Sequence, residues 1–322
     1  MKIAVTGATG GLGRSLVESL RAKGVDTVAL GRNVAIGKEI EKTGAKFVAC
    51  EIDDDQQLKE AFRGCDQVIH SAGMAAPWGE WKDFERANVA GTRSVLWAMR
   101  MTGIERLIHI STPSVYFAGE ARLNVKESDP VPEPTNLYAK SKMMADDLVR
   151  LEVEARKISA VLVRPRSIYG KYDRTILPRM MRVMKRGWFP LPDGGKALVD
   201  VTAVENVAHF VWLALLTDWK FQAEAFNVTN DEPMEVGALM RLVAEAAGLD
   251  VKFVPVPSGV LFAGARLMEI FAKTVTHREP AFSRHSLQSI AVPQTLSIEK
   301  AKRDLNYVPV VSTRDSIRRF FE

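Results

Sequence analysis

Tyr138 and Lys142 stand four residues apart in Tyr138-Ala139-Lys140-Ser141-Lys142. On a helix they share one face, a turn apart. A free tyrosine titrates near pH ~10, too high to shuttle protons at neutrality. A lysine ammonium one turn away stabilises the phenolate and lowers that value. The pair predicts general acid/base chemistry on an alcohol or carbonyl, with the same ammonium able to hold a ribose. Such a site also needs a hydroxyl for the carbonyl oxygen. Ser111-Thr112-Pro113-Ser114-Val115-Tyr116 offers one at the end of an apolar strand, where ligands bind in open α/β sheets.

A second constellation lies at the start of the chain. Thr6-Gly7-Ala8-Thr9-Gly10-Gly11-Leu12-Gly13 follows an apolar strand and opens a helix. Glycines at 7, 10 and 13 permit a tight turn, close approach of a pyrophosphate, and binding at the helix N-terminus. This is a dinucleotide-binding pattern, and the nicotinamide would exchange a hydride directly with the carbonyl carbon, without a metal. The second strand ends Leu30-Gly31-Arg32-Asn33, without the acid that usually grips the ribose 2′-hydroxyl. Arg32, with Arg14 beyond the glycines, suits a 2′-phosphate, so NADP(H) is the expected cofactor and NAD the alternative.

Elements positioning these residues follow from periodicity. Apolar strands at Lys2 to Thr6, Asp26 to Leu30, Lys46 to Cys50, Gln67 to His70, Arg106 to Ser111 and Ser159 to Arg164 alternate with helix-period stretches. One long helix is expected around Trp81 to Met101 and another over Tyr138 to Arg156. This predicts an α/β fold: a Rossmann-type doubly wound parallel sheet with a smaller C-terminal substrate cap. Residues 1–165 would form the dinucleotide-binding core and 166–322 mainly the cap, with 198–230 returning to the core.

The chain resembles the extended short-chain dehydrogenase/reductase family, of NAD(P)-dependent epimerase/dehydratase type, over nearly its whole length. TGATGGLG matches the cofactor loop and YAKSK the Tyr-x-x-x-Lys. The resemblance implies that Thr112 is the catalytic hydroxyl, with Ser111 the next candidate. It implies that Asn88, in Ala87-Asn88-Val89-Ala90-Gly91-Thr92, anchors a water on the proton path. Gly7, Thr9, Gly10, Gly11, Leu12, Gly13, Arg14 and Arg32 would hold the cofactor together with Tyr138 and Lys142. Glu51 and Ile52 would flank the adenine, Glu51 standing where the family usually has Asp. Ser71, Ala72 and Gly73 would line the adenosine side, and Pro165 and Ser167 the approach to the nicotinamide. Within the family the chain is similar to the 3β-hydroxysteroid dehydrogenase and 2-alkyl-3-ketoalkanoate reductase branch. That similarity rests on Ser111 to Val115, Pro77-Trp78-Gly79, Arg164-Pro165-Arg166 and the stretch from Val254 to Pro309.

Nucleotide-sugar epimerases, reductases and dehydratases use the same trio, but they commonly carry an Arg where this chain has Val199. A diphosphate without its Arg is costly to bury. Trp78, Trp81, Trp188, Phe189, Leu261, Phe262, Met268 and Phe271 instead suggest an apolar substrate, steroid-like or a 3-keto or 3-hydroxy acid, unless they form the cap's own core. Gly259 to Ala272 reads as a cap helix, or else as an interfacial one. A non-catalytic NADP-binding regulator is the remaining alternative, though both Tyr and Lys are present.

Composition narrows the classes. The 322 residues carry 44 Lys plus Arg against 39 Asp plus Glu, a scattered excess of +5 that argues against nucleic acid as partner. No window of about 18 apolar residues predicts a membrane span. Two cysteines, Cys50 and Cys65, rule out a disulfide framework and suit a reducing, cytoplasmic setting. His70, His109, His209, His277 and His285 lack metal-ligand spacing, so no metal is expected. The resemblance implies a homodimer through the two long helices.

Overall fold

The computed structural model describes the chain except Pro77, Lys157, Lys220, Phe221, Lys273 and residues 275–282. Pro77 and His277 thus lie outside the described residues, as does the side chain of His285. Seven strands form the main sheet: β1 (Lys2–Thr6), β2 (Asp26–Gly31), β3 (Lys46–Ala49), β4 (Gln67–His70), β5 (Arg106–Ile110), β6 (Ser159–Pro165) and β7 (Ala223–Val228). Their order is β3-β2-β1-β4-β5-β6-β7, and every pairing is parallel. The order reverses between β1 and β4, so the connections leaving their C-terminal ends part and open a crevice there.

Alternate strand residues feed two apolar layers. Ile3, Val5, Ile69, Ile108, Val161 and Val163 pack on one face with Leu16, Val17 and Leu20 of α1 (Gly11–Ala22). A second helix on that face, Val204–Leu216, adds Val207, Phe210 and Val211. Ala4, Val28, Val68, Leu107, Ala160 and Leu162 pack on the other face, against Leu58 and Phe62 of the helix Asp55–Phe62 and Val95 and Met99 of the helix Gly91–Thr102. The long helix Leu137–Arg156 completes that face through Val149 and Val153. Covering on both faces is why the strands read as continuous apolar runs.

The expected helix around Trp81 to Met101 is interrupted. Trp81–Phe84 and Gly91–Thr102 are α-helical, while Glu85–Ala90 between them is π-helical. The wider turn carries Asn88, and such bulges are concentrated at functional sites.

The cap is interleaved with the core more than the sequence reading supposes. A four-stranded sheet of order Met234–Glu235, Leu198–Val199, Gln294–Leu296, Arg122–Val125 draws its last strand from the first half of the chain. Beyond residue 230, Ile298, Ala301, Leu305 and Tyr307 also rejoin the core layer, Tyr307 packing edge-on against Phe210. The sequence reading gives these to the cap because a short apolar segment carries no sign of which layer it fills. The helix Ser258–Phe271 buries only Ala265 and exposes Leu267, Met268, Ile270 and Phe271. No helix among the described residues is long and apolar enough to cross a membrane.

Candidate active site

The glycine loop is built around close backbone contacts. Gly7 leaves β1 with φ +69°, and a Cβ there would fall 2.6 Å from the Ala72 nitrogen. A Cβ at Gly13 would lie 2.2 Å from the Gly7 carbonyl oxygen, and one at Gly11 2.7 Å from that of Tyr172. None of these sites accepts a side chain without backbone movement. Gly10 begins α1 with no side-chain cap, and the first turn holds no acid. Its first N–H groups and the positive end of its dipole therefore remain for an anion.

A cavity of about 650 Å³ runs from this loop to the catalytic candidates. Gly7, Gly10, Gly11, Leu12, Gly13, Ser71, Ala72, Gly73, Pro165 and Ser167 line it, as do Asn88, Ser111, Thr112, Tyr138 and Lys142. The residues present fit a dinucleotide: a Cβ-free cradle at one end, a proton-transfer group at the other. Thr9, Arg14, Arg32, Glu51 and Ile52 are not part of this lining. Thr9 packs against Gly31, where a Cβ would come within 2.7 Å of its side chain, and Ile52 packs on Gly91.

Arg32 is exposed at the end of β2, its guanidinium 3.8 Å from Glu51. Arg86, which the sequence reading missed, lies 4.0 Å from Glu51 and pairs with Asp53 through two hydrogen bonds of 2.6 and 3.2 Å. Arg14 sits at the start of α1. It stacks 3.9 Å above the Tyr172 ring and lies 3.7 Å from Glu18, while its buried Nε has no hydrogen-bond partner.

At the catalytic end Tyr138, Lys142 and Asp146 follow one another at successive turns of the helix Leu137–Arg156. Thr112 hydrogen-bonds the Tyr138 phenol, which burial otherwise pushes above its ordinary value, with a smaller push from Asp146. Ser111 faces another partner, donating to Asp146 Oδ2 at 2.8 Å. The same oxygen accepts from Arg164 at 3.0 Å, and Arg164 also donates to the Tyr116 hydroxyl. Lys142 is buried, with Nζ donating to the Ile110 carbonyl at 2.7 Å and lying 3.5 Å from His109 Nε2. Burial lowers its pKa to about 8, against the opposing pull of Asp146. Asp146 is a positioning residue that sequence reasoning missed. The available signal was an acid four residues beyond Lys142.

Asn88 is held by three side-chain hydrogen bonds. Its Oδ1 accepts from the Met74 N–H at 2.7 Å, and Nδ2 donates to the Met74 carbonyl at 3.1 Å and to Ser141 Oγ at 2.8 Å. Its carbonyl accepts the Thr92 hydroxyl at 2.6 Å. With that proton spent, Thr92 must accept from His70 Nε2 at 3.0 Å, leaving His70 Nδ1 to accept from Thr6 at 2.8 Å. Burial holds His70 neutral, its pKa lowered to about 3. Asn88 therefore ties the loop after β4 to the helix of Tyr138, while it lines the cavity and its Oδ1 keeps a second lone pair.

Of the eight apolar residues expected around a substrate, Phe189 alone lines the cavity. Trp188, Met268 and Phe271 are exposed instead. Met74, Phe117, Ile176, Met180, Val183 and Phe189 form an apolar part of the lining, and Lys171, Asp173, Arg174 and Arg179 contribute charged side chains to it. Helix periodicity reveals an apolar face but not what the face meets.

Fold and site together define a nicotinamide-dependent oxidoreductase of the extended short-chain dehydrogenase/reductase type. The model of the NAD dependent epimerase/dehydratase family matches residues 3–229, and the chain belongs to that family. It is 33% identical over 326 residues to the uncharacterized protein YbjS of Escherichia coli, covering 99% of this chain and 96% of that one. A 4-hydroxy-2-methyl-3-oxo-4-farnesyl-3,4-dihydroquinoline-1-oxide ketoreductase of Stigmatella aurantiaca is 31% identical, covering 98% and 95%. A 2-alkyl-3-oxoalkanoate reductase of Stenotrophomonas maltophilia is 30% identical, covering 99% and 98%. In structure, the chain matches a UDP-glucuronic acid 4-epimerase of Bacillus cereus in complex with NAD, with TM-score 0.78 and 21% identity over 100% of this chain and 97% of that one.

Proposed function

We propose that the protein interconverts a secondary alcohol and a ketone on an apolar substrate, with preference for NADP(H). The observation that carries this is the contact of Thr112 with Tyr138, one helical turn from buried Lys142. Tyr138 gives a proton to, or takes it from, the substrate oxygen, and Thr112 holds that oxygen by a hydrogen bond. Lys142, charged below about pH 8, favours the phenolate and binds the ribose. When bound, the nicotinamide supplies or accepts the hydride. Asn88 positions Tyr138 through Ser141. The apolar part of the cavity lining supports a hydrophobic substrate, as does the similarity to a ketoreductase of a farnesylated dihydroquinoline oxide and to a 2-alkyl-3-oxoalkanoate reductase.

Arg32 and Arg86 support a 2′-phosphate at the adenosine end. Glu51 between them supports the NAD alternative. Met101, Leu137, Met144 and Leu151, exposed on the helices Gly91–Thr102 and Leu137–Arg156, support a homodimer through these helices. A cytoplasmic setting is in keeping with two free, buried cysteines.

A second reading, a nucleotide-sugar epimerase, draws on Arg174 and Arg179 in the cavity lining. Val199, where that reading needs an Arg, is buried and paired with Met234 and Gln294. A screen of ketones and secondary alcohols with both nicotinamide cofactors, read at the nicotinamide absorbance, tests the proposal. Turnover that Tyr138→Phe lowers by about 10²–10⁴, with cofactor binding retained, supports it. Full activity in that variant contradicts it.

A further inference from the structure

Arg166 stands one residue beyond the end of β6 and lines the cavity, yet retains only 6% of its surface. Its guanidinium donates to Gln294 Oε1 and, at 3.5 Å, to the Ser289 carbonyl. Arg166 Nε and Gln294 Nε2 are both buried donors without a hydrogen-bond partner. No carboxylate of the described residues forms an ion pair with Arg166. Asp200 offsets its charge from beyond that range, while its own Oδ2 accepts the Leu296 N–H at 2.7 Å. Burial lowers the Arg166 pKa to about 10, so it stays charged at neutral pH.

A buried guanidinium whose opposing carboxylate, Asp200, stands beyond direct contact is only partly compensated, and two buried donors without acceptors add to the cost. An acceptor with negative charge on the cavity side relieves both. The fork of an arginine matches a carboxylate, and the neighbouring amide of Gln294 extends the donor set. Met74, Phe117, Ile176, Met180, Val183 and Phe189 line the same cavity, with the charged side chains of Lys171, Asp173, Arg174 and Arg179 also in its lining, so a ligand with a hydrocarbon body and an anionic head complements both Arg166 and the apolar stretch.

We propose that Arg166 and Gln294 form a receptor for a substrate carboxylate, so that the enzyme works on apolar hydroxy and keto acids and discriminates against neutral alcohols and ketones. This rests on the alcohol/ketone reading of Tyr138. No covalent step at Arg166 is involved. The carboxylate is an orienting handle.

The test compares 3-hydroxydecanoate with its methyl ester, each oxidised with NADP⁺ and with NAD⁺. The expected kcat/KM favours the acid about tenfold or more. Arg166→Met should bring that ratio toward one, chiefly through KM of the acid, and Arg166→Lys should restore part of it. Gln294→Leu should lower the ratio less. Equal use of acid and ester by the unaltered enzyme overturns the proposal without any variant having to fold. An undiminished ratio in folded Arg166→Met also overturns it. If neither compound is oxidised, the oxidoreductase reading fails for these substrates, and calorimetry on the cofactor-loaded protein decides the site separately. Binding of the acid about tenfold tighter than the ester upholds the receptor. Equal binding, or tighter binding of UDP-glucose than of the acid, overturns it.

Discussion

Thr112 hydrogen-bonds the Tyr138 phenol, while its neighbour Ser111 donates to Asp146 at 2.8 Å. Adjacent hydroxyls at the end of β5 therefore have different surroundings. One faces the proton donor, and the other is spent within a buried network of Asp146, Arg164 and Tyr116.

Thr112→Val should reduce kcat by about 10²–10³, the range for losing a donor to a developing oxyanion. Its Tm should fall as well, by the equivalent of about 1 kcal/mol, because the Thr112 hydroxyl also bonds Ser114 Oγ at 3.1 Å and caps the turn Pro113–Tyr116 by accepting the Ser114 N–H at 3.2 Å. Ser111→Ala should destabilise the fold by about 1–3 kcal/mol through an acceptor left short of a donor, with kcat less affected. Steady-state kinetics and thermal unfolding of both variants separate the roles. A larger kcat loss in the Ser111 variant would reverse the assignment.

The alkaline limb of activity should belong to Lys142. Tyr138 stays protonated well above neutrality because burial raises its pKa, whereas Lys142 loses its proton near pH 8. Carbonyl reduction should thus be steady below about pH 8 and fall above it. Asp146 favours the charged lysine, so Asp146→Asn should move the limb to lower pH. Stability runs the other way. Between about 8 and the ordinary lysine value of 10.5, the unfolded chain binds more protons at this site, so the contribution of Lys142 to stability rises with pH across that window. A pH profile of kcat that is flat to pH 10 would contradict this role.

Cofactor choice should depend on the exposed end of β2. Arg32→Glu is expected to cut kcat/KM with NADPH about tenfold or more while sparing NADH, since it replaces the phosphate's partner with a like charge. Parallel rates with both cofactors check it. A clear NADH preference in the unaltered protein would assign the ribose to Glu51 instead.

Much of this was legible in the sequence where the signal is local. Tyr138 and Lys142 are one turn apart, the glycine loop is continuous, and the sheet strands declare themselves as apolar runs. What escaped depends on distant segments meeting. Asp146 acquires its meaning from Ser111 and Arg164, which lie 35 and 18 residues away. Gln294 reaches Arg166 across 128 residues, because Gln294–Leu296 joins a sheet with Leu198–Val199 and Arg122–Val125. Residue type marked Trp188, Met268 and Phe271 as candidates for a substrate wall, but only the packing shows that they face outward. The π-helical turn at Asn88 likewise has no periodicity of its own to announce it.

The most direct test of the central claim follows deuterium from the C4 position of the reduced nicotinamide. With a ketone substrate, the account predicts one equivalent of deuterium at the new carbinol carbon for each cofactor consumed, abolished by Tyr138→Phe. Label that reaches a nucleotide-sugar carbon without net consumption of cofactor, or no transfer to any ketone, would contradict it.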